Sequence, residues 1–73
     1  MTEIVIEIFK TNVSNKQTSD EVLNLLKGFY PHLKINFDLD DCDNILRVQG
    51  HNFPSNHIVE ILSQMGLCCE RIE

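Results

Sequence analysis

Three kinds of side chain in this chain could do chemistry: thiols at Cys42, Cys68 and Cys69, carboxylates at Asp38, Asp40, Asp41 and Asp43, and imidazoles at His32, His51 and His57. Cys42 with Cys68 or Cys69, helped by Asp40, Asp41 or Asp43, has the donor set for Zn²⁺ or for a redox pair. Set against this, a free cysteine is usually a small buried hydrophobe, and in a reducing compartment three thiols make no disulfide framework. The carboxylates lack the D-x-[DN]-x-[DN]-G spacing and distant bidentate Glu of a calcium loop, so they read as a solvated turn. No pair of histidines has the i, i+4 or i, i+2 spacing of a preformed metal site, and surface or capping roles suit them. There is no nucleophile elbow, no His and acid set around a Ser or Cys, and no glycine-rich phosphate loop, so the sequence predicts no enzyme and no cofactor.

The elements that must position these groups follow from periodicity. Leu33, Ile35, Phe37 and Leu39 alternate with polar residues, and Leu46 and Val48 resume the alternation beyond an acidic turn, which predicts a β-hairpin. Ile4 to Phe9 reads as the first strand, with Ile4, Ile6 and Ile8 on the core side and Val5, Glu7 and Phe9 on the other, and Lys10 to Ser14 as a loop. Val22, Leu25, Leu26 and Phe29 make a helical stripe, as do Ile58, Ile61, Leu62 and Met65. Two capping boxes, Ser14 with Gln17 and Thr18 with Glu21, compete for the start of the first helix, and Pro31 stops it near Tyr30. Pro54 suits the first turn of the second helix, Gly66 its left-handed cap, and Leu67 to Ile72 a last strand.

The order β-α-β-β-α-β predicts an α+β, ferredoxin-like sandwich: a four-stranded antiparallel sheet, order 4-1-3-2, with both helices on one face. Seventy-three residues make one such domain, 1–73. Its topology gathers Lys10–Lys16, Asp40–Asn44 and Gly66–Cys69 at one pole, and Pro31, His32, Gly50, His51 and Asn52 at the other. Asp38 and Arg47 are expected to pair across the open face of the sheet.

In topology and length the chain resembles the heavy-metal-associated domain, the fold of copper chaperones and of the amino-terminal modules of metal-pumping ATPases. FDLDD resembles that family's second-strand ending, and IVEILSQMGLCCERI its second helix, glycine and last strand. The family binds Cu(I) through a Gly-Met-Thr-Cys-x-x-Cys loop, which falls here on Asn12 to Thr18. Val13 replaces the buried methionine, but Asn15 and Thr18 stand at the two thiolate positions with Lys16 between them. Amide and hydroxyl oxygens do not hold soft Cu(I), so the resemblance implies the fold without the metal site.

A net charge of −5 opposes nucleic acid and anionic membranes. No apolar run approaches the roughly 20 residues of a membrane span, and MTEIVIEIFK is not a signal peptide, so a cytoplasmic domain is expected. What remains is an interaction module. Val5, Phe9 and Arg47 on the uncovered sheet face are the expected contacts for an unidentified protein partner, and Leu33–Leu39 is an edge open to strand addition. A homodimer through either surface fits this pattern, and so does a monomer.

Overall fold

The computed structural model describes residues 3–38 and 44–72. Strand β1 (Val5–Thr11) leads into helix α1 (Lys16–Phe29), followed by β2 (Lys34–Asp38), β3 (Ile45–Gly50), helix α2 (Ser55–Gln64) and β4 (Cys69–Arg71). The strands form one sheet in the order β2-β3-β1-β4, every neighbour antiparallel. Read from the other edge, this is the 4-1-3-2 order expected of the ferredoxin-like fold, and that fold is what the chain adopts.

The core lies between the helices and one face of the sheet. Phe9 and Leu46 oppose each other across β1 and β3, and Val48 and Ile35 across β3 and β2. All four pack with Val22 and Leu26 of α1 and Ile58, Ile61 and Leu62 of α2. Side chains alternate along a strand, so Phe9 toward the helices puts Ile4, Ile6 and Ile8 on the opposite side. The sequence parity of β1 is therefore inverted: Phe9 is fully buried, whereas Ile4 and Ile6 are 58% and 50% exposed. The physical reason lies further along the chain. β1 continues through Thr11 instead of ending at Phe9, and Phe9, Thr11 and Val13 are all buried, so the large ring takes the place under the helices.

The apolar stripe of α1 is also rotated from its expected position. Ser19, Val22 and Leu26 are buried, while Leu25 and Phe29 are exposed. In α2, Ile58, Ile61 and Leu62 are buried as expected. Neither capping box starts α1. Asn15, in an extended conformation, accepts the Thr18 N–H on Oδ1 at 2.8 Å, which satisfies a donor that the first turn leaves free. At the other end of the chain, Gly66 (φ +80°) closes α2: its N–H donates to Ser63 O, and Leu67 N–H donates to Leu62 O at 3.0 Å. That pair of bonds is a Schellman cap, which needs the left-handed backbone that glycine adopts at little cost.

Candidate docking surface

The register determines what the uncovered side of the sheet presents. Ile6 lies beside Gln49 and Lys34, Ile8 beside Arg47 and Asn36, and Lys10 beside Ile45 and Asp38. On the outer flank Glu70 stands opposite Lys10, and Ile72 donates its N–H to Ile8 O at 2.8 Å. The face thus divides along its length. Isoleucines 4, 6, 8 and 72 make an apolar strip over β1 and the end of β4, and Lys34, Asn36, Arg47 and Gln49 make a polar, partly cationic half over β2 and β3. Ile72 is 48% exposed, whereas Ile45 on the same face is buried. Three of the chain's six cations, Lys10, Lys34 and Arg47, lie on this face with only Asp38 and Glu70 of its eleven acidic residues among the described ones. A strongly acidic chain therefore turns a near-neutral, isoleucine-rich side to its surroundings.

Of the expected contact residues, Arg47 is on this face and exposed, opposite Asn36; Asp38 is its diagonal neighbour, not its direct partner. Phe9 is not on it, being in the core, and Val5, though 40% exposed, shares the helix side with Phe9. Glu7, also expected outside, points to the helix side as well. Its Oε1 is buried without a hydrogen bond, and Arg71 Nε faces it at 3.4 Å as a charge partner.

At the pole where the β1–α1 loop meets the start of β4, Asn12 Oδ1 accepts the Cys68 N–H at 2.9 Å and Thr11 pairs with Cys69. The loop and the start of β4 are thereby neighbours, as topology requires. Thr11 Oγ1 donates to Asn44 O at 2.6 Å and accepts from Val13 N–H, and Val13 is buried below the loop. Asn15 and Thr18 are bonded to one another as helix cap and capped amide. Lys16 reaches back to Asp20 at 3.2 Å, both side chains well exposed, a pair that contributes little. Cys42, Asp41 and Asp43 lie outside the described residues. Cys68 is exposed, and Cys69 is half-buried with its thiol pushed up to about 11 by desolvation, a setting that suppresses thiolate chemistry. Among the described residues no group of three or more His, Cys, Asp or Glu could hold a metal ion.

At the distal pole His57 and His51 make local contacts, and His32 is exposed. His57 Nδ1 hydrogen-bonds the Tyr30 hydroxyl, and its ring meets Phe29 edge-on at 5.2 Å, while His51 Nδ1 donates to Glu3 O at 3.1 Å. Beside them Leu25, Phe29, Ile61 and Met65 line an open groove of about 320 Å³ between the helices.

Comparisons with protein-family models, curated proteins and solved structures yield no match to this chain. No helix among the described residues is long and apolar enough to cross a membrane. The functional reading therefore rests on the sheet face, whose main residues, Ile4, Ile6 and Ile72, sequence reasoning assigned to the core or left unplaced. A signal was present: Phe9, Thr11 and Val13 share one parity, and only Phe9 has the volume to fill the space beneath two helices.

Proposed function

We propose that this domain is a non-enzymatic protein-docking module of the cytoplasm, built on a heavy-metal-associated-like scaffold without its Cu(I) loop, that engages a protein partner through the open sheet face. The observation that carries this reading is the isoleucine strip. Four large aliphatic side chains share one solvent-facing patch beside Arg47 and Lys34, in a chain whose composition offers ample charge to cover it. An apolar patch rimmed by polar groups is the usual mark of a contact surface. The cationic half favours a partner with acidic residues bordering an apolar ridge, and disfavours the chain's own acidic surfaces.

The test uses a photo-crosslinking residue at Ile72 and, as a control on the helix layer, at Leu25. Adducts confined to position 72, with a partner whose binding to the purified protein is lost in Ile8→Lys, support the docking face. Equal labelling from both positions, or binding undiminished by Ile8→Lys, overturns it. Tight, stoichiometric uptake of Cu(I) or Zn²⁺ by the reduced protein, lost in Cys42→Ser, would replace it with a thiol carrier or redox sensor that uses Cys42 with Cys68 or Cys69.

A further inference from the structure

Strand β2 is an edge of the sheet, and β1 and β4 both lie on the far side of β3 from it. The backbone bonds determine what this edge offers. Ile8 O accepts from Ile72 N–H, so Ile8 turns its backbone groups toward β4 and away from Arg47, its partner in β3. Opposed residues of an antiparallel ladder alternate between bonded and unbonded pairs, so Arg47 bonds on its other side, to Asn36. Lys34, Asn36 and Asp38 therefore direct their N–H and C=O groups to β3, and Ile35 and Phe37 direct theirs off the edge. Among the described residues no strand lies against those outward groups. On the helix side Ile35 is buried and Phe37 half-buried, while Lys34, Asn36 and Asp38 are exposed on the open face. Neither Lys34 nor Asp38 is held in an ion pair among the described residues. A charged edge ordinarily discourages pairing, but these two charges are opposite in sign and stand at equal distance on either side of Asn36.

We propose that β2 pairs with β2 of a second copy, antiparallel about a two-fold axis through Asn36. In that register Lys34 of each copy faces Asp38 of the other, and Asn36 faces Asn36. Ile35 of each copy faces Phe37 of the other as a pair that exchanges both backbone bonds, which uses every outward N–H and C=O of the two residues. The Lys34–Asp38 pairs fall at unbonded positions, where the Cα atoms come within about 4.5 Å and side chains on one face meet most closely. Both ion pairs form on the open face, and the amides of Asn36 bond each other between them. A two-fold axis through Ile35 or Phe37 would set the lysine or the aspartate against Asn36 and form no ion pair. On the helix side the Ile35–Phe37 pairs join the two cores beneath α1, where Leu23 of α1, packed on the core, is itself only half-buried. Each end of β2 leaves the line of the edge within its own domain. Leu33 N–H turns back to Tyr30 O, and beyond Asp38 the chain has to regain β3 at Ile45, the partner of Asp38 itself. The result is one sheet continuous across two domains with all the helices on one side. The isoleucine strip over β1 and β4 stays uncovered in both copies, so the pairing does not depend on the docking reading.

Sedimentation velocity on the full chain in reductant, from about 10 µM to about 1 mM, should show the mass rising from 8.4 kDa toward twice that value. Hydrogen exchange at the Ile35 and Phe37 amides should slow as concentration rises, while the Asn36 amide, already held by β3, keeps its rate. Lys34→Asp sets two pairs of carboxylates face to face and should weaken association about tenfold, as should Asp38→Lys with its two pairs of ammonium groups. The double variant Lys34→Asp with Asp38→Lys exchanges the charges, and association should return to within about threefold of the unaltered chain. Ile8→Lys, which damages the docking face, should also leave association within about threefold. A chain that stays monomeric throughout, with Ile35 and Phe37 exchange independent of concentration, overturns the proposal and leaves the docking reading standing. A dimer that tolerates Lys34→Asp, or that the double variant does not recover, overturns it as well. So does a dimer that Ile8→Lys dissolves as fully as Lys34→Asp does, because the copies would then meet through their open faces.

Discussion

Truncating Phe9 and Ile6 in turn separates the two sides of β1. Phe9 is fully buried against both helices, so Phe9→Ala removes most of a ring from a close-packed core and should cost about 3–5 kcal/mol. A 73-residue domain has on the order of 4–11 kcal/mol in total, so this variant sits near the edge of folding. Phe9→Leu, which keeps most of the volume, should lose about 1 kcal/mol and remain folded. Ile6 is half exposed on the open face, so Ile6→Ala forfeits at most half the burial of an isoleucine, about 1 kcal/mol or less. Urea unfolding followed by far-UV circular dichroism reads these differences directly. With a slope of about 1 kcal/mol/M, the midpoint should fall by about 1 M for Phe9→Leu and Ile6→Ala and by about 3 M or more for Phe9→Ala. An Ile6→Ala variant that loses more stability than Phe9→Ala would show that the isoleucines are the core side, and the docking face would vanish with them.

Other outcomes follow from the caps and the thiols. Asn15→Ala should lower stability by about 1 kcal/mol in thermal unfolding, while Ser14→Ala and Thr18→Ala stay within about 0.5 kcal/mol because neither side chain caps α1. Gly66→Ala meets no atom within 4 Å of its new Cβ, so its cost is the left-handed backbone alone, about 1 kcal/mol, or a melting point about 4–8 °C lower. Alkylation at pH 8.5 should label Cys68 well before Cys69, as mass spectrometry of proteolytic peptides will show. Burial raises the Cys69 thiol from the ordinary 9.0 to about 11, so the folded state keeps a proton that the unfolded chain releases. Stability should therefore fall as pH rises from about 9 toward about 11, and Cys69→Ser should flatten that decline.

Element types and their order were legible because periods of two and 3.6 recur with clear stops at Pro31, Pro54 and Gly66. The Gly66 cap was legible for a local reason: glycine's freedom at positive φ is a property of the residue itself. Parity in β1 was not, since both faces carry large apolar groups and the choice is made by helices distant in sequence. The rotation of α1, which frees Leu25 and Phe29, has the same cause: two adjacent leucines and a phenylalanine permit more than one stripe. The start of α1 was missed because Ser14, Asn15 and Thr18 are all competent caps, and the tie is broken by where the buried Val13 leaves the chain. Of the contact residues, Arg47 was readable from its place between two core residues of β3.

The bond from the Thr18 amide to the Asn15 side chain also bears on engineering a chelator into this scaffold. Cysteines at 15 and 18 would place a thiol pair at Cys-x-x-Cys spacing, but the first of them would remove the acceptor that begins α1. In the absence of ion the redesigned loop would start from a frayed helix, and cargo would have to rebuild the turn as it bound. Affinity for the metal would then be reduced by the cost of ordering that turn, and the apo protein would report its empty state as lost helicity.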